Sequence, residues 1–170
     1  MRRTAANFAM VLALCAGGCA GYRLGPSNGE VAGQRSVQVK FFRNDTTQPR
    51  VAEAVNTALR IALQKDGTYR LATQGDGDIV VSGVILRWDR PPLSFQPSDT
   101  LTVRDYRINL IAKVTATEKI TGRILFEREV TGTTVVRALA DQTSTERQAL
   151  PLLADDLARK ATGLLVDGSF

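Results

Sequence analysis

The sequence contains no histidine, and its only two cysteines, Cys15 and Cys19, both lie near the start of a chain of 170 residues. Without histidine there is no Ser-His-Asp or Cys-His nucleophile system and no zinc site of the usual His-containing kind. With both cysteines confined to the first twenty residues, the folded body can hold neither a disulfide framework nor a cysteine metal cluster. A Gly-rich phosphate loop, a paired-carboxylate spacing and a metal-ligand motif are also missing, so no cofactor is expected. An enzyme would have to rest on carboxylates such as Glu127 or Glu129 with a strongly shifted pKa in a pocket. The length fits one domain, large enough to bury about two-thirds of its unfolded surface.

Long apolar runs are scarce as well. The longest near the N-terminus, Phe8 to Leu14, follows a basic Met1-Arg2-Arg3 start and precedes the small residues Ala16-Gly17-Gly18 and then Cys19. A run of seven is far short of the roughly 20 residues that span a bilayer, so residues 1–18 read as a secretory signal peptide. Ala16-Gly17-Gly18-Cys19 has the character of a lipobox, in which small residues fit the cleavage pocket and the new N-terminal cysteine receives acyl chains. At about 0.8 kcal/mol per buried methylene, two or three chains at Cys19 would make a permanent membrane anchor. Ala20 follows the cysteine where an inner-membrane retention signal would have Asp, which points to the periplasmic face of the outer membrane. Losing Arg2 and Arg3 leaves 20 Lys and Arg against 17 Asp and Glu, so two of the five net positive charges belong to the targeting signal, the remaining excess is small, and no nucleic-acid partner is expected.

The mature chain reads as a tether over residues 19–35, rich in Gly, Pro, Ser and Asn, followed by one domain over 36–170. Ser36 to Phe42 alternates at period two and predicts a strand. Asn44 to Pro49 supplies helix-start residues, with Pro49 suited to the first turn. An apolar stripe through Val51, Val55, Ala58, Leu59, Ala62 and Leu63 then predicts a helix ending near Gly67, with Glu53, Asn56, Arg60, Gln64 and Lys65 on its polar face. Ile79 to Trp88 reads as a central strand, which Pro91-Pro92 makes the chain leave. Thr102 to Thr117 alternates cleanly as a long strand, and Gly122 turns it into Arg123 to Val136, with Ile124, Phe126 and Val130 facing inward. Thr115, Thr117, Thr131 and Thr133 face outward, a solvated face or one suited to a polar barrel wall. Thr143 with Glu146 reads as a capping box opening a second helix, which Pro151 should kink or re-start. The fold expected is an α+β two-layer sandwich, two helices on one face of a four-stranded, mostly antiparallel sheet.

If a helix joins the first two strands and they are adjacent, they run parallel and end at one edge. The third strand begins at that edge and the fourth ends there. Arg43, Arg87, Arg90, Arg104, Arg107 and Arg137 should then gather at one end, with Asp45, Asp89, Asp99, Asp105 and Asp141 among them. Guanidinium groups suit planar, bidentate binding of phosphate or carboxylate. Trp88, between Arg87 and Asp89, reads as a lid on the core edge.

Several segments in order resemble one family: Cys19-Ala20-Gly21-Tyr22-Arg23-Leu24, Val39-Lys40-Phe41-Phe42-Arg43-Asn44-Asp45-Thr46, Arg90-Pro91-Pro92-Leu93-Ser94-Phe95, Asp105-Tyr106-Arg107-Ile108, Thr121 to Glu127, and Ala154 to Lys160. Together they resemble the lipopolysaccharide-assembly lipoproteins of the LptE family across the whole mature chain. The resemblance implies a two-helix, four-strand α+β domain without enzymatic activity. It implies a lipoprotein that plugs and helps assemble the LptD outer-membrane β-barrel and binds lipopolysaccharide in transit to the outer leaflet. The family's basic ligand-binding residues fall in segments that here are Pro97 to Arg104 and Arg137 to Gln142, where only Arg104 and Arg137 are basic. The lipopolysaccharide-binding candidates are Arg87, Arg90, Arg104, Arg107 and Arg137, and Cys19 is the lipidation site. A rival reading is a regulatory lipoprotein that activates a periplasmic peptidoglycan synthase, whose domain also opens with a strand, an Asn-Thr turn and a helix.

Overall fold

The computed structural model describes residues 31–138 and 142–168. The signal peptide, Cys19, most of the tether and Asp141 lie outside the described residues. The elements follow in the order β1 (Ser36–Val39), β2 (Arg43–Asn44), α1 (Val51–Asp66), β3 (Arg70–Leu71), β4 (Ile79–Asp89), β5 (Pro92–Gln96), β6 (Asp99–Glu118), β7 (Ile124–Arg137) and α2 (Gln142–Asp167). The α+β class stands, but the sheet is seven-stranded and mixed. β1 lies between β3 and β4 and runs parallel to both, and β2 runs parallel to β4. Only β4, β5 and β7 are antiparallel to β6. The added strands β2 and β3 are two residues each, too short for any alternation to register.

The first predicted strand is broken, for a local reason. Between the pairs Val39 with Val81 and Arg43 with Val84, the first chain advances four residues against three in β4. That extra residue is a bulge, and it reverses which side faces the core. Phe41, inward by alternation, is 69% exposed, and Phe42 is 1% exposed. The Phe42 ring lies over Gly83, where an added Cβ would sit 2.3 Å from Phe42 Cε1 and 2.5 Å from the Lys113 carbonyl oxygen. A second bulge, between the pairs Ala116 with Phe126 and Thr117 with Ile124, turns Ile124 outward, so only Phe126 and Val130 of the predicted inward trio are buried.

β6 is the spine of the sheet. Ile108, Leu110, Ala112, Val114 and Ala116 are fully buried beneath both helices. The missing side chain of Gly132 on β7 lets α2 settle close, since a Cβ there would meet the Leu153 carbonyl oxygen at 2.4 Å and Leu157 Cβ at 2.9 Å. The chain after Pro91-Pro92 does not leave the sheet. β5 continues antiparallel along β6, with Pro92 opposite Tyr106 and Phe95 opposite Val103. Prolines are tolerated here because they sit on an edge. Since β7 ends opposite Asp105, the stretch of β6 before it and β5 form a two-stranded arm beyond the body.

Both helix starts differ from expectation. α1 begins at Val51, after Arg50 in the left-handed region (φ 63) with no side-chain cap. The Asn44 to Gln48 segment builds a turn of its own instead: Asn44 Oδ1 accepts from the Thr46 N–H at 3.1 Å, and Asn44 Nδ2 donates to the Gln48 carbonyl at 2.9 Å. Asn56, placed by pattern on the polar face, is buried and donates to the Ala52 carbonyl at 2.8 Å. Gly67 ends the helix as expected, in the left-handed region with its N–H on the Leu63 carbonyl at 3.2 Å. α2 runs unbroken through Pro151. Glu146 does not close a capping box; its carboxylate reaches Arg90 and, at 3.5 Å, Gln48 Nε2. Gln48 thus joins the starts of the two helices, and Tyr69 Oη, 3.4 Å from the Leu165 carbonyl, joins their ends, so the helices lie parallel.

Two predictions follow from the packing. Gly83→Ala should lose about 1–3 kcal/mol in a urea titration because the buried Phe42 ring and the Lys113 carbonyl of the neighbouring strand must both move. Gly163→Ala, whose new methyl would meet only an Asp167 oxygen at 3.8 Å, should instead gain up to about 1 kcal/mol. The Asp78 carboxylate accepts from the Ser36 hydroxyl and backbone N–H, each at 2.7 Å, and these bonds hold its pKa below the ordinary value. A group depressed in the folded state adds stability above its unfolded pKa of about 4, and that stability fades as pH falls through the folded pKa. The urea-midpoint gap between the natural protein and Asp78→Asn should therefore narrow from pH 7 to about pH 3.

Candidate functional site

β1 and β4 run parallel, so their C-terminal ends share one end of the sheet, and β6 enters and β7 exits there. Both helices also begin there, adding the positive ends of two helix dipoles. All six arginines named from topology are at this end. Alternation then divides them between two faces. Ile108 and Leu110 point into the core, so Arg107 faces away from the helices, and Arg87, opposite Ile111, shares that open face. Arg90 lies on the helix side, ion-paired with Glu146 of α2, its guanidinium 5.8 Å from the Tyr106 ring centroid. A cavity of about 240 Å³ opens between Arg90, Tyr106, Val136, Arg137 and Glu146.

The root of the arm is organised by Asp105, whose side chain is 16% exposed. The Ser94 hydroxyl donates to it from β5 at 2.5 Å and Arg104 Nε at 2.8 Å, and Arg137 Nε of β7 lies 3.8 Å away. Chiefly the Ser94 bond, then Arg104, holds the Asp105 pKa below the ordinary carboxylate range. Asp105 thus fastens three strands where the arm leaves the body. Arg43 forks onto Asp45 through two bonds of 2.9 Å, and Arg87 Nε lies 3.7 Å from Asp89. Arg107 is exposed and has no ion-pair partner among the described residues. Beyond the arginines the arm bears Leu93, Phe95 and Leu101, all exposed, Leu101 at 90%.

Trp88 is half-buried against the core edge, as expected of a lid. Glu127, on which an enzyme reading would rest, is on the open face with Lys113 Nζ at 2.6 Å, and that bond lowers its pKa. A general acid at neutral pH needs the opposite shift. In sequence Asp105 is only one of several carboxylates near the arginines and Glu146 fits a helix cap; their roles depend on contacts across 11 and 56 residues.

The domain model of the LptE family, described as lipopolysaccharide-assembly, matches residues 34–162. The chain belongs to the LptE family. No curated protein matches it in sequence. Among solved structures it is similar in fold to a Xanthomonas campestris protein (TM-score 0.58, 9% identity, 86% of this chain and 92% of that one). A minor lipoprotein of Acinetobacter baumannii gives a TM-score of 0.52 at 13% identity, covering 78% and 92%. The PelC dodecamer of Paraburkholderia phytofirmans gives 0.52 at 16% identity, covering 84% and 94%. At these identities the likeness concerns the fold alone.

Asp105→Ala should loosen the arm without unfolding the body. Hydrogen exchange of the amides over 92–104 should speed up at least tenfold, while the amides of Ile108 to Ala116, in the covered ladder, keep their protection.

Proposed function

We propose that this LptE-family protein is a lipoprotein acylated at Cys19, held on the periplasmic face of the outer membrane, that seats in an LptD-like β-barrel, helps it assemble and binds lipopolysaccharide during transport. The observation that carries the reading is the arginine end. Arg87, Arg90, Arg104, Arg107 and Arg137 surround the root of a projecting arm that carries the exposed apolar side chains Leu93, Phe95 and Leu101 along its length. A ligand with phosphorylated sugars and acyl chains offers matching chemistry, anionic groups for the guanidinium groups and hydrocarbon for Leu93, Phe95 and Leu101. Existing ion pairs do not block this use. The exposed pair of Arg87 with Asp89 contributes about 0.2–1 kcal/mol and can give way to a phosphate, while Glu146 and Asp105, each 16% exposed, keep Arg90, Arg104 and Arg137 in place. The face of the hairpin turned away from the helices carries Thr115, Thr117, Thr131 and Thr133, hydroxyl groups that suit a polar barrel wall.

The deciding experiment is affinity purification of the acylated chain from envelope membranes, followed by lipopolysaccharide capture with arginine variants. Recovery of a large outer-membrane barrel supports the proposal, and recovery of a peptidoglycan synthase without a barrel supports the regulatory rival. Replacing Arg87 and Arg107 together by Ala should weaken capture at least tenfold, whereas Arg60→Ala on α1 leaves it unchanged. Equal capture by all forms would overturn the arginine assignment.

A further inference from the structure

The end of the sheet opposite the arginines has its own exposed apolar feature. The turn from β6 to β7 is closed by two backbone bonds, Glu118 N–H to the Arg123 carbonyl at 2.8 Å and Gly122 N–H to the Glu118 carbonyl at 2.9 Å. Gly122 takes a left-handed φ of 72, and the Thr121 hydroxyl donates to Glu118 Oε2 at 2.6 Å. This fixed turn presents Ile120, 89% exposed, with Ile124, 57% exposed, just behind it. Of the neighbouring charges, Lys119 Nζ is 2.6 Å from Asp76 and Arg35 Nη2 is 2.7 Å from Glu118, while Arg123, exposed in the turn itself, adds a cation that suits an anionic lipid surface. A bare isoleucine on a rigid turn gains nothing from water. It has already lost the conformational freedom that docking would otherwise cost.

The chain's path identifies what the turn meets. Arg35, on Glu118, belongs to the segment that enters β1, so the chain joins the domain beside this turn. Eleven residues, or twelve steps of the chain, separate Cys19 from Val31. Even fully extended they reach about 40 Å, whereas β6, with 20 residues, runs on the order of 65 Å toward the arm. The turn therefore lies at the end of the domain where the tether enters, beside Arg35 and within the tether's reach, whereas the arm lies at the far end. We infer that the Ile120 turn sits in the interface of the bilayer holding the lipid anchor, which orients the domain with its arginine end and arm pointing away from that surface. This inference rests on acylation of Cys19 and extends the proposed function by supplying an orientation.

The test uses the full acylated chain alone in nanodiscs of phosphatidylethanolamine and phosphatidylglycerol, with a nitroxide at Ile120→Cys or, as control, at Leu101→Cys. Both sites are almost fully exposed in the protein. The label at 120 should collide with a water-soluble nickel chelate at least about threefold less often than the label at 101, and more often with dissolved oxygen. Equal nickel accessibility in protein whose mass carries the acyl chains overturns the membrane contact and leaves the anchor reading standing. Absence of the acyl mass overturns both.

Discussion

The ladder along β6 is the constraint on which the rest depends. Over the half nearer its C-terminal end, β4 and β7 flank it, and its inward residues Ile108, Leu110, Ala112, Val114 and Ala116 lie at zero exposure beneath the helices. Over the other half it has only β5 for a partner and no covering layer among the described residues. One strand therefore makes both the stable body and the exposed arm. The sequence changes accordingly, from strict alternation after Tyr106 to the run Asp99 to Arg104 with no buried residue. Two-stranded ribbons are marginal by themselves, which is why the Asp105 junction matters where body gives way to arm.

The sheet's edges are managed differently at its two margins. Along β7, α2 supplies side chains to the free backbone groups: Asp156 accepts from the Thr133 N–H at 2.9 Å, and Lys160 Nζ donates to the Thr131 carbonyl at 2.8 Å. Partial burial pushes the Asp156 pKa up, but Lys160, the Thr133 N–H and Arg159 together hold it down, so it stays an acceptor. These contacts make β7 a poor template for another strand. Along β5 no helix takes that role, and the edge is blunted by Pro91 and Pro92, which lack the N–H that strand addition requires. Such an edge can be left open to a partner surface without inviting self-association.

The parts of this architecture legible in the sequence were those carried by repetition. The β6 alternation, the two helices, the Gly67 stop, the parallel relation of β1 and β4 and the collection of arginines at one end all followed from period and connection order. What escaped were single-residue events. One inserted residue exchanged Phe41 for Phe42, and another turned Ile124 outward, since a period-two pattern carries no mark of a bulge. The strand β3 is two residues long and exists because Ser36 and Val37 offer backbone partners to Arg70 and Leu71. Glu146 satisfied a local capping pattern but is held by Arg90 of another element. The division of the arginines between two faces was hidden for the same reason, because the β4 bulge between Ile85 and Arg87 sets the side of the sheet that Arg87 occupies.

These features give the molecule a direction. Both helices start, and β4 ends, at the end that carries the arginines and leads into the arm, while the chain enters beside an isoleucine-tipped turn at the other end. The carboxylates at the arginine end do not cancel its capacity for anions. They hold extended guanidinium side chains in place at little net cost, because an exposed pair is worth only a few tenths of a kcal/mol. Under the proposed function, a phosphate would meet arginines already held extended, and the exposed partners Asp45 and Asp89 would be the ones displaced most easily. Arg107, without such a partner among the described residues, is the position where a first contact costs least. Under the proposed function this polarity would set a lipid-anchored end close to one membrane surface and direct the arginines and the exposed apolar arm away from it.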